Sequence, residues 1–251
     1  MSNRHAVVTG GGSGIGAAIA QALADSGAFV TIMGRRQEPL QDLVDALPRA
    51  QAIVCDVTDA DSVNDAFARA AEQHGPVDIL VNNAGAAPTA PFHKLDAATW
   101  RDVMAVNLDG VFHCTRAVIP GMLECKHGRI VNVASTAAQR GYAYVSAYSA
   151  AKHGVLGLTR SLALETATKG ITVNAVCPGY TDTDIIRSAV ANIVDKTGRS
   201  EDEALKEFTR TNPQGRLIRP GEVAAAVLWL CAPESAAITG QAISVSGGEV
   251  M

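Results

Sequence analysis

A run of glycines near the start of the chain joins an apolar segment to a helical pattern, and it constrains the fold more than any other feature. The run Thr9-Gly10-Gly11-Gly12-Ser13-Gly14-Ile15-Gly16 follows the predicted strand His5–Thr9 and precedes the predicted helix Ala17–Ala24. The same letters occur in flexible linkers, but a linker has no reason to join a strand directly to a helix. Glycines at this point allow a tight turn and a close backbone approach, and a helix N terminus attracts phosphate. The sequence therefore predicts a dinucleotide pyrophosphate site at Gly10, Ser13, Gly14, Ile15 and Gly16.

Seven β-rich runs alternate with longer helical patterns along the chain. The predicted strands are His5–Thr9, Phe29–Met33, Ala52–Cys55, Val77–Asn82, Arg129–Ala134, Ile171–Val176 and Gln241–Val245. Several runs are almost continuously apolar, as in parallel strands that are buried on both faces. The alternation predicts an α/β fold, namely a Rossmann-like, doubly wound parallel sheet of seven strands with helices on both faces.

The 251 residues are expected to form a single domain, 1–251, because no proline/serine-rich stretch or charge block divides them. The pattern loosens over about 180–220, where Ile185, Ile186 and Phe208 alternate with the polar run Asp195–Glu203. This segment predicts a helical insertion at the edge where open α/β sheets bind ligands. It is either a substrate lid or an ordinary pair of surface helices.

Composition limits the kinds of partner. The net charge of −4 offers no basic stripe, which argues against nucleic acid and favours a small-molecule substrate. No apolar run approaches membrane-spanning length, and a strand predicted from residue 5 leads us to expect no signal or transit peptide. The five cysteines lack CxxC spacing and the six histidines lack metal-ligand spacing, so we expect neither a disulfide framework nor a metal site. A cytoplasmic protein is predicted.

The end of the second predicted strand bears on the choice of cofactor. An NAD-binding fold places a carboxylate there, on the ribose 2′-hydroxyl, whereas this chain has Gly34 followed by Arg35 and Arg36. A guanidinium can grip a 2′-phosphate that a carboxylate would repel. The alternative is that both arginines simply begin a solvated helix. The residues favour NADP(H) over NAD(H).

A tyrosine and a lysine stand at helical spacing in the second half of the chain. Of the four tyrosines, only Tyr148 has a lysine at the fourth position on, Lys152, and Ser135 precedes the pair at the end of a predicted strand. Such a pair arises often by chance, so its position after a nucleotide-binding signature matters. Side chains four apart share a helix face, where an ammonium favours the anionic form of a phenol. The pattern predicts a proton-transfer site.

These motifs together carry a family resemblance. TGGGSGIG, NNAG at Asn82–Gly85, Ser135, YSAAK and Pro178-Gly179 occur in this order, and across its whole length the sequence resembles the classical short-chain dehydrogenase/reductase family. The stretch from IVNVAST to VNAVCPGY resembles bacterial 3-oxoacyl-thioester and polyketide ketoreductases. The longer lid resembles 3-hydroxybutyrate-type dehydrogenases.

The resemblance implies a catalytic tetrad of Asn107, Ser135, Tyr148 and Lys152. Tyr148 would exchange a proton with the substrate oxygen, Lys152 would favour the phenolate and bind the nicotinamide ribose, and Ser135 would polarise the carbonyl. Asn107 would hold a water that links Lys152 to solvent. Taken singly, Ser135 could be a helix cap and Asn107 could satisfy a local backbone group.

The resemblance also implies further cofactor contacts. Asp56 would lie by the adenine, and the remaining contacts are expected at Val57, Asn83, Ala84, Gly85, Tyr148, Lys152, Pro178, Gly179, Thr181 and Thr183. For Asn82 two roles are equally expected: a contact with the ligand, or a structural hydrogen bond between neighbouring strands. Among the expected cofactor contacts, Thr183 would contact the nicotinamide carboxamide. This contact is affected by one departure from the family pattern, because the family commonly has proline after that threonine, whereas this chain has Asp184.

We therefore expect an NAD(P)-dependent oxidoreductase that interconverts a secondary alcohol and a ketone, with a 3-hydroxyacyl/3-oxoacyl thioester or a related carbonyl compound as the favoured substrate. Hydroxy acids, sugars and aryl or cyclic ketones are alternative substrates. A dinucleotide-binding regulator or scaffold without catalysis is the alternative class, but such proteins usually lose a tetrad residue. The resemblance also suggests a homotetramer, with core burial as the other explanation for the apolar helices at Trp100–Leu123 and Tyr148–Leu164.

Overall fold

A computed structural model describes all residues, 1–251, and shows one parallel sheet of seven strands. The strands are β1 (His5–Thr9), β2 (Phe29–Gly34), β3 (Ala50–Val54), β4 (Ile79–Asn82), β5 (Gly128–Val133), β6 (Ile171–Pro178) and β7 (Ala242–Val245). Their order across the sheet is β3-β2-β1-β4-β5-β6-β7, and every pair is parallel. The predicted fold class and all seven predicted strands are confirmed, with differences only at strand ends.

Nine α-helices connect the strands. They are α1 (Gly14–Asp25), α2 (Gln37–Ala46), α3 (Ala60–His74), α4 (Ala97–Met104), α5 (Gly110–Cys125), α6 (Ser146–Thr166), α7 (Asp184–Thr197), α8 (Glu201–Thr209) and α9 (Pro220–Cys231). Local signals fix several starts: the Asp59 carboxylate caps α3, and Ser200 with Glu203 forms a capping box on α8. Helix α1 begins at Gly14 instead of the predicted Ala17, so its first turn includes Gly14 and Gly16.

The sheet is covered on both faces, as its apolar strands require. Along β1, Ala6 and Val8 point into a core shared with α1, α2 and α9, while Val7 points into a core shared with α3 and α5. This two-residue alternation is the side-chain period of a strand. All five residues of β1 are buried.

Strand order reverses between β1 and β4, which places a crevice at the carboxyl ends of these strands. The loops that follow β1 to β6 leave the sheet at this edge and carry most of the predicted site residues, whereas Asn107, Tyr148 and Lys152 lie on helical segments. After β6, the predicted helical insertion is present as α7 and α8. None of the helices is both long enough and apolar enough to cross a membrane.

Candidate active site

A cleft of about 1100 Å³ runs along this edge, from the glycine-rich turn to the lid. It is lined by every residue predicted to bind the cofactor and by three of the four predicted tetrad residues. Those residues are Gly10, Ser13, Gly14, Ile15, Gly16, Arg35, Arg36, Asp56, Val57, Asn83, Ala84, Gly85, Ser135, Tyr148, Lys152, Pro178, Gly179, Thr181 and Thr183. Asn107 lies behind the cleft wall. The volume of the cleft exceeds that of most single-ligand pockets and suits two molecules side by side.

The glycine-rich turn packs too closely for side chains. Gly10 has φ +61°, and a Cβ on it would lie 2.8 Å from the Cα atom of Ala84. A Cβ on Gly16 would overlap the Gly10 carbonyl and the Asn83 amide. The Asn83 side chain donates to the carbonyl oxygens of Thr9 and Gly10, both at 3.0 Å, and so holds the turn against the end of β4.

The N terminus of α1 is free to bind an anion. Ser13, its N-cap residue, makes no side-chain capping hydrogen bond, and the first turn of the helix contains no acidic residue. The first amides of α1 belong to Gly14, Ile15 and Gly16, which line the cleft. A helix start with unpaired amides stabilises phosphate, so this end of the cleft fits a dinucleotide pyrophosphate.

Positive charge lies at the end of the cleft next to β2. Arg35 and Arg36 are exposed at the end of β2, and neither makes a side-chain hydrogen bond or an ion pair. Nearby, the Asp56 carboxylate accepts from Thr58 N at 3.0 Å and Thr58 Oγ1 at 2.8 Å. These bonds, with a smaller contribution from Arg35, lower the pKa of Asp56. The two guanidinium groups remain available for an anionic ligand.

Lys152 is a buried cation beneath the middle of the cleft. Its ammonium Nζ donates to the Val133 carbonyl oxygen at 2.8 Å and lies 5.7 Å from the centre of the Tyr148 ring. Burial lowers the pKa of Lys152 from 10.5 to about 8. No carboxylate forms an ion pair with it, so desolvation is not offset by an opposite charge.

Tyr148 is half-buried and faces Ser135. Burial raises the pKa of Tyr148, and hydrogen bonding with the Ser135 hydroxyl lowers it to a smaller extent. The net direction is opposite to the one expected from Lys152 alone, because desolvation of the phenolate dominates and Lys152 bonds to the backbone. Burial therefore favours the neutral form of the Tyr148 phenol in this structure.

Ser135 is fixed by the turn that it begins. Its hydroxyl oxygen accepts from the backbone N–H of Ala137 at 3.1 Å and caps the short 3₁₀ turn Thr136–Ala138. The capping alternative considered from sequence is thus correct. It does not conflict with a site role, because the same bond orients the hydroxyl beside Tyr148.

Asn107 is fully buried in a π-helical turn between α4 and α5. Its Nδ2 donates to the carbonyl oxygens of Ala86 at 2.8 Å and Val103 at 2.9 Å, and its Oδ1 accepts from Ala86 N at 3.3 Å. A Cβ on Gly85 would lie 2.8 Å from this Oδ1 and 3.7 Å from Lys152 Nζ. The side chain of Asn107 therefore holds the loop after β4 close to Lys152.

Two residues with open alternatives now have defined contacts. Asn82 donates to Thr115 Oγ1 at 3.1 Å and to Asn132 Oδ1 at 2.9 Å, so it ties β4 to β5 and α5. Thr183 is the N-cap residue of α7, and a Cβ on Gly14 would lie 3.1 Å from its methyl group. The unusual Asp184 is accommodated as the first helical residue and pairs with Arg187.

The end of the cleft next to α7 and α8 contains a contact that no sequence pattern predicted. The Tyr142 hydroxyl lies 2.8 Å from both Thr136 Oγ1 and Glu249 Oε1. Tyr142, Tyr180 and Phe208 line this end. Glu249 stands 107 residues after Tyr142, in a tail with no motif, so no local signal could have found it.

Comparison with known proteins agrees with this geometry. The family model described as short chain dehydrogenase matches residues 4–193. A putative ketoacyl reductase of Streptomyces coelicolor is 43% identical over 249 residues, which are 97% of this chain and 95% of that protein. A cis-4-hydroxycyclohexanecarboxylate dehydrogenase of Sinomonas cyclohexanicum is 43% identical over 253 residues, covering 99% and 97%.

Among solved structures, a phenylalanine-to-tryptophan variant of actinorhodin polyketide ketoreductase with NADPH superposes with a TM-score of 0.94. It is 42% identical, and the alignment covers 98% of this chain and 97% of that one. The predicted family is confirmed by sequence and by fold. The chain belongs to the short-chain dehydrogenase family and is an NAD(P)-dependent oxidoreductase acting on CH–OH and carbonyl groups.

Proposed function

We propose that this protein is a ketoreductase that converts 3-oxoacyl thioesters to 3-hydroxyacyl thioesters with NADPH, in a reversible reaction. One observation carries the proposal: Ser135, Tyr148 and Lys152 lie in the same cleft as the glycine-rich turn and the two free arginines. The similarity to a ketoacyl reductase and to a polyketide ketoreductase supports a thioester-linked ketone as substrate.

Three side chains act on the substrate oxygen in this proposal. Tyr148, held neutral by burial, donates its phenolic proton to the oxygen during reduction, and the adjacent Ser135 hydroxyl hydrogen-bonds the same oxygen as charge develops there. Hydride transfer at the carbon is the chemistry that a bound nicotinamide supplies. In the reverse direction Tyr148 first gives its proton to the neutral amine of Lys152, and the resulting phenolate accepts the proton of the alcohol.

Lys152 restores the proton of Tyr148 and binds the nicotinamide ribose. The pKa of Lys152, about 8, lies close to neutral pH, so its ammonium gives up and regains a proton easily. We propose that the buried Asn107 keeps Gly85 and Ala86 next to this ammonium, so that solvent reaches it only by a narrow path. The predicted bridging water remains part of the proposal.

The cofactor assignment is NADP(H). The uncapped start of α1 would hold the pyrophosphate, Asp56 and Val57 would lie beside the adenine, and Thr183 would bond the nicotinamide carboxamide. Arg35 and Arg36 grip the 2′-phosphate, for which they have no competing partner. The structural relative solved with NADPH supports this choice. The remaining residues proposed to contact the cofactor are Asn83, Ala84, Gly85, Tyr148, Lys152, Pro178, Gly179 and Thr181.

A second substrate class, cyclic secondary alcohols with a carboxylate, deserves equal testing. The cis-4-hydroxycyclohexanecarboxylate dehydrogenase is as similar to this chain as the ketoacyl reductase is, at 43% identity. The aromatic wall of Tyr142, Tyr180 and Phe208 offers an apolar surface for a ring.

We also propose a single domain with a substrate lid at 180–220, a cytoplasmic location and a homotetramer. Phe112 on α5 and Leu164 on α6 are 48% and 83% exposed, and Trp229 on α9 is 48% exposed. Large apolar side chains on these helices are consistent with subunit packing. Light scattering of the purified protein tests the tetramer.

The decisive experiment is an assay of the purified protein with acetoacetyl and longer 3-oxoacyl thioesters, and with oxidation of cis-4-hydroxycyclohexanecarboxylate in parallel. Each substrate is measured with both cofactors. A thioester kcat/KM far above that of the cyclic acid, with NADPH preferred, supports the proposal. Turnover of the cyclic acid alone would replace the thioester by a cyclic alcohol as substrate, and no turnover of any of these substrates would contradict the proposed activity.

A further inference from the structure

Glu249 occupies a junction between three parts of the molecule. It lies in the tail that follows β7, and its Oε1 accepts from the Tyr142 hydroxyl and the Thr211 hydroxyl, both at 2.8 Å. Its Oε2 packs against Gly179 at the end of β6, where a Cβ would lie 3.0 Å away. One carboxylate thus links the segment after Ser135, the segment after α8 and the tail.

The direction of the hydrogen bonds follows from the number of protons. The Tyr142 hydroxyl has one proton and lies 2.8 Å from both Thr136 Oγ1 and Glu249 Oε1. An ionised carboxylate can only accept, so Tyr142 donates to Glu249 and accepts from Thr136. Burial, with Glu249 as a smaller contributor, raises the pKa of Tyr142 to about 12. A directed chain therefore runs from Thr136, the neighbour of Ser135, to the tail.

Tyr142 is also held by its ring. The Tyr142 and Tyr180 rings meet edge to face with centroids 6.4 Å apart, and Tyr180 meets Phe208 of α8 in the same way at 5.2 Å. The Arg140 guanidinium lies 4.5 Å from the centre of the Tyr142 ring. All three aromatic rings line the cleft. The position of Tyr142 therefore sets the width of the cleft at its substrate end.

We infer that Glu249 is a positioning residue that fixes Tyr142 as a rigid wall and thereby limits the size of the acyl group beside the ketone. The inference rests on the proposed ketoreductase function and names its substrate class more closely. With the bond intact, the cleft admits 3-oxoacyl thioesters whose ketone carries a small or linear chain. Without it, the Tyr142 ring swings aside and a bulky aryl group enters.

The test compares two substrates that differ only in this group, the N-acetylcysteamine thioesters of acetoacetate and of 3-oxo-3-phenylpropanoate. Glu249→Ala and Tyr142→Phe each remove the bond from one side. We expect each to raise the aryl-to-methyl ratio of kcat/KM by roughly tenfold, mainly through a lower KM for the aryl thioester. Glu249→Gln keeps an acceptor oxygen and should stay near the wild-type ratio.

Two further variants separate positioning from general loss of structure. The double variant Glu249→Ala/Tyr142→Phe should shift the ratio no more than the more affected single variant, because all three lack the same Tyr142–Glu249 hydrogen bond. Glu207→Ala removes a different carboxylate, one that lies in the lid and pairs with Arg199 and Arg210 on the surface, and should leave the ratio unchanged.

An unchanged ratio in folded Glu249→Ala and Tyr142→Phe overturns the inference. If Glu249→Ala does not fold, Tyr142→Phe decides alone. Calorimetric binding of the two thioesters to the protein with NADP⁺ gives a second readout. Wild-type protein that binds both thioesters but reduces neither contradicts the proposed function, and a wild-type binding ratio in the variants contradicts the positioning role.

Discussion

The Lys152 ammonium donates to the carbonyl oxygen of Val133, the last residue of β5, at 2.8 Å, so the buried cation is attached two residues before Ser135. Strand β5 and helix α6 are thereby joined at the point where both contribute to the site. The bond satisfies one proton of a charge that no carboxylate neutralises. The cost of burying this charge appears in the lowered pKa of Lys152.

Replacing Lys152 by methionine should change how stability depends on pH. The pKa of Lys152 falls from 10.5 to about 8 on folding, so between these values the unfolded chain binds more protons than the folded one. The wild-type free energy of unfolding should therefore rise from pH 8 to pH 10, by up to roughly 3 kcal/mol from this group. Lys152→Met should lack that rise. Chemical denaturation across this range measures it, and parallel curves for both proteins would contradict the burial of a charge.

The same variant should lose both turnover and dinucleotide affinity, because one ammonium serves Tyr148 and the ribose. Titration with NADPH followed by fluorescence measures the affinity. Lys169→Met, at an exposed position after α6, is the matched control and should leave both quantities unchanged. Unaltered affinity in Lys152→Met, with an unaltered pH–rate profile, would show that the dual role is wrong.

Tyr148→Phe should abolish proton transfer while leaving the fold and dinucleotide binding intact. The ring still fills its half-buried position, but the exchangeable proton is gone, which costs at least about 10²–10⁴-fold in kcat. Tyr144→Phe is the matched control, because Tyr144 is 65% exposed and its hydroxyl makes no hydrogen bond to the protein. Near wild-type turnover in Tyr148→Phe would remove Tyr148 from the mechanism.

Much of this architecture could be predicted from sequence because it follows from local patterns. Apolar runs such as Val7–Val8 mark strands buried on both faces, and parallel strands bring their carboxyl ends to one edge. Residues that follow different strands, such as Gly10 and Ser135, therefore meet in one cleft without any knowledge of distances. Strand ends were less accurate, because Pro178 is counted in β6 only through its pairing with Val245 of β7.

The rest depended on contacts that no local pattern encodes. The direction of the Tyr148 pKa is set by burial, and burial is produced by the packing of distant segments around the ring. A helical spacing indicates that Lys152 lies near Tyr148, but not that its ammonium bonds to Val133. Glu249 contacts Tyr142 only because the tail after β7 returns to the cleft.

A buried histidine at the opposite edge of the sheet should make folding sensitive to acid. His5 Nδ1 lies 2.8 Å from the Gly75 carbonyl, which only accepts, so Nδ1 carries the proton and Nε2 accepts from Thr31 at 2.8 Å. Burial lowers the pKa of His5 below 6.5, so the unfolded chain takes up the proton first as the pH falls. The free energy of unfolding should decrease from about pH 6.5 downward.

His5→Gln should flatten this decrease, since an amide donates and accepts without titrating. His93→Gln is the control, because His93 is an exposed histidine whose ring makes no hydrogen bond to the protein. Thermal melting at a series of pH values from 5 to 7.5 measures both. A wild-type slope retained in His5→Gln would assign the acid sensitivity to other groups.

Cofactor preference should follow the charge at the end of β2. Arg35→Ala should lower kcat/KM for NADPH by roughly 10- to 150-fold and should change kcat/KM for NADH little. This factor corresponds to the loss of a hydrogen bond to a charged group, which contributes about 1.5–3 kcal/mol.

Gly34→Asp should shift preference toward NADH, because it adds an acceptor for the 2′-hydroxyl and repels a phosphate. The site has room for it: a Cβ on Gly34 lies 3.4 Å from Leu40, which is ordinary contact. Arg69→Ala, an exposed arginine on α3, controls for loss of surface charge. The test measures kcat/KM with NADPH and with NADH for the wild type and the three variants. A wild type that prefers NADH, together with an equal loss of kcat/KM for both cofactors in Arg35→Ala, would show that the NADP(H) assignment is wrong. Arg35 and Arg36 would then be ordinary surface charges.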